Sequence, residues 1–144
     1  MATPQRPHYY CHACAAEQSL LNPPPTDPLT TRYQLDKYVK HTVPDEKYQV
    51  QSVFERADIQ VYRGYLVDGL TAGSVEVDGW GRTNVIWVAT QAVGFQFQHG
   101  RLVTPQDAVK VVLSTATGYV HAYPASSTTF TGRRCDRCGQ WVIQ

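Results

Sequence analysis

The central part of the chain alternates apolar and polar residues with a period of two. Within 48–55, 59–61, 75–78 and 95–98, aliphatic or aromatic residues alternate with Gln, Glu or Asp at most positions. A period of two is typical of strands that have one buried and one exposed face. The run 85–88 is apolar at every position, which predicts a central strand covered on both faces.

Pairs that contain glycine separate these runs. Such pairs tolerate positive φ and predict turns between strands. They are Asp68-Gly69, Asp78-Gly79 and His99-Gly100. Residues 118–124 predict one further strand, which places Tyr119, His121 and Tyr123 on one face.

Two segments depart from this period and favour helices. We predict a helix from Thr30 or Thr31 to about His41, because a threonine side chain can cap the first helical turn. Its apolar face is formed by Leu35, Tyr38 and Val39.

The second segment, 105–114, has conflicting signals. Thr104-Pro105-Gln106-Asp107 is typical of a helix start, with a capping residue, a proline at the first helical position and an acid three residues after the cap. The β-branched residues that follow favour a strand instead. We interpret 105–114 as a helix.

The composition is that of a folded domain, and its net charge creates no strong electrostatic potential. Hydrophobic residues make up 42% and charged residues 17%, which excludes wholesale disorder. The formal net charge is +1, so no global potential marks a nucleic-acid or membrane-surface protein. The polar, proline-bearing start has no signal-peptide pattern, and no apolar run approaches the roughly 20 residues of a membrane span. We expect a cytoplasmic protein with reduced thiols and no membrane partner.

The four cysteines form two C-x-x-C pairs, Cys11 with Cys14 and Cys135 with Cys138. Each pair places two sulfurs at the separation that adjacent ligands of a tetrahedral metal require. Zn²⁺ suits such a set because thiolate is a soft ligand and a closed four-thiolate shell needs no preferred d-electron geometry. Gly139 tolerates the positive φ of a knuckle turn. We predict one structural Zn²⁺ held by all four sulfurs.

Other uses of these cysteines remain open. Two disulfides would suit a secreted chain, which nothing in the sequence indicates. A thioredoxin-like redox motif opens a helix after a strand, whereas Cys14 leads into Ala15, Ala16, Glu17 and a proline-rich loop. Iron in the same site, as in rubredoxin-like electron-transfer proteins, is the third alternative.

The spacing of the pairs predicts how the chain is organised. Ordinary finger modules separate their two pairs by roughly 12–20 residues, whereas here the pairs lie near the two ends. We predict one domain over 1–144: a split zinc ribbon formed by 8–16 and 133–142, a linker at 22–29, and a helix plus β-rich insertion at 30–130. The predicted fold class is mainly β, a β-rich α+β protein with an antiparallel sheet or barrel, one or two helices, and N- and C-terminal knuckles joined in one site.

These motifs resemble two known groups. Tyr10-Cys11-His12-Ala13-Cys14 is similar to the first knuckle of zinc ribbons that precede some RING-type ubiquitin ligases. Two separated C-x-x-C turns around one zinc also resemble the β-tent fold of Yippee-like proteins, the thalidomide-binding domain of cereblon and methionine sulfoxide reductase B. The insertion here is longer, and the Gly-Trp that often follows the second knuckle is missing. The reductase needs a further catalytic cysteine, so the resemblance implies a structural zinc rather than that activity.

No catalytic motif stands out elsewhere. There is no H-E-x-x-H, no G-x-S-x-G and no Walker-type glycine loop. His121 is either a satisfied strand histidine or a buried functional group. His12 could replace a cysteine as ligand, donate to a thiolate or face solvent. We do not expect an enzyme.

Two surface features could contact a ligand. Trp80 lies between two glycines and is followed by Arg82, so its ring is either a lid on the sheet or a stacking platform. Joining the chain ends would also create a basic and aromatic patch, in which Arg6, His8, Tyr9, Tyr10 and His12 lie beside Arg133, Arg134, Arg137 and Trp141. Tyr10, Arg133, Arg134, Arg137 and Trp141 are the predicted ligand contacts. These arginines either offset the thiolate charge, directed at the sulfurs or at Asp136, or face outward towards a base or an acidic side chain.

Two classes of function follow. The first is a non-enzymatic binding or scaffold module in which zinc is structural and the partner is a protein. The alternative is a nucleic-acid-associated zinc ribbon that uses the patch at the joined chain ends.

Overall fold

The computed structural model of the chain describes residues 5–22, 32–114 and 119–143. Within these residues the strands are β1 (His8–Tyr10), β2 (Val50–Phe54), β3 (Ser74–Val77), β4 (Thr83–Val88), β5 (Gly94–Gln98), β6 (Arg101–Gln106), β7 (Ala108–Ser114) and β8 (Tyr119–Ala125). The helices are α1 (His12–Glu17), α2 (Arg32–Lys40) and α3 (Ile59–Ala72), and a 3-10 turn spans Ser127–Thr129. The predicted linker at 22–29 lies outside the described residues after Asn22, as do the predicted helix caps.

The strands form two antiparallel sheets. The larger has the order β1-β3-β4-β7-β8, and the smaller has the order β2-β5-β6. The mainly β prediction is confirmed in its open-sheet form, since the sheets do not close into a barrel over the described ranges. None of the helices in those ranges has the length and apolarity needed to cross a bilayer.

The main core lies between the large sheet and α3. Val85, Val109 and Val111 are fully buried on the sheet face that α3 covers, together with Tyr62 and Leu66 of the helix. The Tyr62 hydroxyl accepts a hydrogen bond from the Ala122 amide at 3.0 Å, so the helix also satisfies an edge group of β8.

The prediction of a strand at 59–61 and of a turn at Asp68-Gly69 was wrong, because both lie in α3. Asp58 caps this helix, its carboxylate accepting from the amides of residues 60 and 61. Gly69 is needed for close packing rather than for a turn. A Cβ atom there would lie 2.8 Å from Val111 Cγ2.

The helix predicted at 105–114 was also wrong. This segment forms the end of β6 and all of β7, which pairs with β4 on one side and β8 on the other. Val109 and Val111 alternate into the core, and Asp107 accepts hydrogen bonds from the Ser127 amide and hydroxyl instead of capping a helix. Tertiary pairing therefore decided between the two local signals.

The helix predicted up to His41 is confirmed as α2, but its predicted apolar face was wrong. Leu35 and Val39 are 48% and 47% exposed, and the buried residue of α2 is Gln34. Only Tyr38 of the predicted face contacts the core, edge-on to Tyr62 at 5.1 Å between ring centroids.

Other predictions from periodicity are confirmed. The apolar run 85–88 belongs to β4, which is the middle strand of the large sheet. Turns at Asp78-Gly79 and His99-Gly100 join β3 to β4 and β5 to β6, and residues 119–124 lie in β8.

Candidate metal centre

The fold brings together all four cysteines from the two ends of the chain. Their Sγ atoms lie within 4.8 Å of one another. The Sγ atoms of Cys11 and Cys138 are 3.7 Å apart, close to the edge of about 3.8 Å that a tetrahedral ion with Zn–S bonds of about 2.3 Å would impose. Over the described part of the chain, no other group of His, Cys, Asp and Glu side chains has this geometry.

The first pair does not form the knuckle that a ribbon requires. Cys11 follows β1 and caps α1, and Cys14 lies in the first turn of that helix. A C-x-x-C between a strand and a helix is the arrangement of thioredoxin-like motifs, so the sequence argument against that class was wrong on this point. What distinguishes this site from a thioredoxin-like motif is that the second pair, Cys135 and Cys138, lies close to Cys11 and Cys14.

The second pair does form a knuckle. The Cys135 carbonyl accepts from the Gly139 amide at 2.9 Å, and the Cys135 amide donates to the Gln140 carbonyl at 2.7 Å. Gly139 has φ +78°, which confirms the left-handed conformation expected there. An antiparallel bridge between Arg134 and Trp141 closes the turn.

Asp136 fastens this knuckle to β1. Its amide donates to the Tyr9 carbonyl at 2.8 Å, and its carboxylate accepts from the Tyr9 amide at 3.1 Å. The same carboxylate pairs with Arg6 at 2.9 Å and His8 at 3.2 Å. We refer to Arg6, His8, Tyr9 and Asp136 as the clasp, because they hold the two cysteine pairs in register.

The surroundings of the thiols shift the pKa values of Cys14 and Cys135 in opposite directions. Hydrogen bonding to the Cys11 thiol and burial raise the pKa of Cys14 to about 12. Although burial opposes ionisation, backbone amides of Cys11, Cys138 and Arg137 lower the pKa of Cys135 to about 6. Ionisation of Cys135 is therefore favoured and that of Cys14 disfavoured, and a bound cation would stabilise the thiolate forms.

His12 is half-buried and is not a member of the clustered donor set. Its Nδ1 lies 2.8 Å from the Gly73 carbonyl, to which it donates a hydrogen bond. This bond ties α1 to the end of α3 and leaves the four sulfurs as the donor set.

The patch arginines are not directed at the sulfurs. Arg133 lies over the Tyr9 ring at 5.2 Å, and Arg134 lies over the Trp141 ring at 3.8 Å. Arg137 pairs with Glu17 at 2.9 Å, and the patch arginine that pairs with Asp136 is Arg6.

Trp80 is not a lid, because its side chain is 63% exposed. It stands on the turn between β3 and β4, and Asp78 organises that turn. The Asp78 carboxylate accepts from the amides of Trp80 and Arg82 and from the Arg82 guanidinium, at 2.9–3.0 Å. Although partial burial opposes ionisation, these hydrogen bonds hold the pKa of Asp78 below its ordinary value. Trp80 is therefore displayed on a rigid turn.

His121 lies in an aromatic cluster away from the cysteines. Its ring stacks on Tyr123 at 6.4 Å, and His41 stacks on the same tyrosine at 5.2 Å. Burial and the charges of Lys37 and Lys40 lower the pKa of each histidine to about 4, so both are neutral near pH 7. His41 is satisfied by the Ser52 carbonyl at 2.8 Å.

Comparisons with protein-family models, with curated proteins and with solved structures find no match to this chain. The resemblances to zinc ribbons and to the β-tent fold therefore rest on the two C-x-x-C pairs alone.

Sequence reasoning placed Arg6, His8 and Tyr9 in the patch at the joined chain ends but did not predict that all three contact Asp136. The signal in the sequence is Asp136, an acidic residue inside the second C-x-x-C, which predicts a basic partner. The register of β1 against that knuckle, which supplies the partner, is a property of the folded chain.

Proposed function

We propose that this protein is a non-enzymatic binding module whose two chain ends are joined by one structural Zn²⁺. The observation that carries the proposal is the convergence of four sulfurs from opposite ends of the chain to within 4.8 Å. A set of four thiolates fills the tetrahedral shell of zinc and leaves no open position for substrate or water. Zinc in such a site stabilises structure rather than performing chemistry.

The surroundings of the sulfurs support a structural role. Cys135 is buried and the clasp fixes the second knuckle to β1, so binding would require little reorganisation. Most of the main core, formed around Val85, Val109 and Val111, comes from the large sheet and α3, although Ala15 of α1 also packs into it. We therefore expect chelation to loosen the chain ends while the central sheet stays folded.

Metal analysis of the purified, reduced protein tests this function. We expect one zinc per chain, four thiols on denaturation and a colourless solution. Cys135→Ser should abolish stoichiometric zinc. Gln91→Ser, at an exposed position outside the donor set, is the control and should keep one zinc per chain. A red protein with one iron per chain would contradict this proposal and would indicate an electron-transfer protein instead. Zinc well below one per chain would refute it.

A further inference from the structure

We propose that this protein binds single-stranded nucleic acid across a surface centred on Arg6, with a base stacked on Trp80. The inference rests on the proposed function, because the joined chain ends form half of this surface. The folded chain places the Trp80 turn and the second knuckle on either side of β1, although the sequence gives no reason to connect them.

Three adjoining concavities make up this surface, and Arg6 lines all of them. One, of about 360 Å³, reaches the turn at Trp80, and one, of about 540 Å³, reaches Arg133 and Arg134. The third, of about 650 Å³, extends past Tyr10 to Arg137. We refer to them together as the Arg6 surface. Because they share lining residues, a flexible polymer could follow the surface from the turn to the knuckle.

Arg133 and Arg134 are the cations on this surface that are available to a ligand, since Arg6 pairs with Asp136 and Arg137 pairs with Glu17. The Asp136 and Asp78 carboxylates each accept several hydrogen bonds from neighbouring groups. Arg133 and Arg134 are exposed, and none of the described carboxylates lies within ion-pair distance of them. Each guanidinium lies over an aromatic ring, which orients it, and Arg134 Nη1 also donates to the Gly139 carbonyl at 3.0 Å. The other N–H groups of the two guanidinium groups can donate to phosphate oxygens.

Trp80 supplies an aromatic ring for base stacking, which is the second feature that binding of single-stranded nucleic acid requires. A tryptophan with 63% exposure on a turn fixed by Asp78 offers a preorganised ring, and base stacking on an aromatic ring is tolerant of sequence. Stacking needs an unpaired base, which favours a single strand over a duplex. An acidic peptide would also meet the arginines, but it would leave the exposed indole without a planar partner.

The predicted salt dependence follows from the number of free cations. With Arg133 and Arg134 each contacting one phosphate, the logarithm of affinity should fall with the logarithm of salt concentration with a slope of about −1.4. The small slope agrees with the net charge of +1 and with the negative charge that four thiolates bring to the metal.

Fluorescence anisotropy with labelled probes tests the inference. The probes are single-stranded dT and U oligomers of about 12 nucleotides, a DNA duplex and a poly-glutamate peptide. Binding of a single strand should weaken about tenfold in Trp80→Ala and be largely retained in Trp80→Phe, which keeps a stacking ring. The paired change Arg133→Ala and Arg134→Ala should weaken binding and make the salt slope shallower by about 1.4. Arg101→Ala removes an exposed arginine on the small sheet and should change neither quantity.

The zinc content of every variant separates the two proposals. Zinc below one per chain in the unaltered protein refutes the proposed function. One zinc per chain with no single-strand binding, with tighter duplex binding, or with binding indifferent to Trp80→Ala refutes this inference alone. Retention of poly-glutamate with equal affinity overturns it in favour of an acidic protein partner. The relative affinities of the dT and U probes identify DNA or RNA as the ligand.

Discussion

Replacement of Asp136 with Ala should weaken zinc binding although Asp136 does not contact the metal. Its carboxylate accepts from the Tyr9 amide at 3.1 Å and pairs with Arg6 and His8. These contacts join the chain ends that the metal also joins. The free energy of the clasp therefore contributes to metal affinity to the extent that the ends separate in the metal-free protein.

The size of the effect follows from the exposure of each contact. Loss of the acceptor for the part-buried Tyr9 amide costs about 1 kcal/mol. The Arg6 and His8 side chains are 73% and 49% exposed, so solvent screening leaves each pair worth about 0.5 kcal/mol or less. A total of about 1–2 kcal/mol corresponds to zinc affinity about 5–30-fold lower.

Competition with a chromogenic zinc chelator near neutral pH measures this change. Asp136→Asn keeps an oxygen acceptor for the Tyr9 amide but loses the charge, so its affinity should lie between those of the parent and Asp136→Ala. Glu17→Gln is the matched control, because Glu17 forms an exposed pair with Arg137 of the same knuckle. Affinity within twofold of the parent in Asp136→Ala, or an equal loss in Glu17→Gln, would refute the clasp argument.

Three further predictions concern the scaffold. The folded-state pKa of His41, about 4, lies below the ordinary 6.5, so the unfolded chain takes up the proton first as pH falls and stability decreases from about pH 6.5 towards pH 4. In urea titrations the parent should lose about 2 kcal/mol more than His41→Gln between about pH 7.5 and pH 5, and equal losses would contradict this. Gly69→Ala should destabilise by about 1–2 kcal/mol, because its Cβ would lie 2.8 Å from Val111 Cγ2, and adding Val111→Ala should reduce that clash penalty in a double-mutant cycle. Tyr62→Phe should cost about 1–2 kcal/mol by leaving the Ala122 amide without its acceptor, with faster hydrogen exchange at that amide as the specific readout.

The sequence by itself determined the features that depend on residue type and local spacing. Two C-x-x-C pairs identified the four sulfurs that converge, because the ligand chemistry belongs to the side chains and each pair is held by a short turn. The period of two predicted β2, β3 and β5, the apolar run 85–88 predicted β4, and Gly139 predicted the left-handed residue of the second knuckle. These properties need no knowledge of which distant segments meet.

Only the tertiary structure decided the features that depend on what packs against each segment. The segment 105–114 has helix-start residues followed by β-branched residues, and pairing with β4 and β8 made it strand. Residues 59–61 alternate like a strand, yet the Asp58 cap and burial of Tyr62 and Leu66 against the large sheet made them helix. The clasp and the Arg6 surface likewise arise from the register of β1 between β3 and the second knuckle, since hydrogen bonds and stacking act over a few ångströms and only folding brings these residues within that distance.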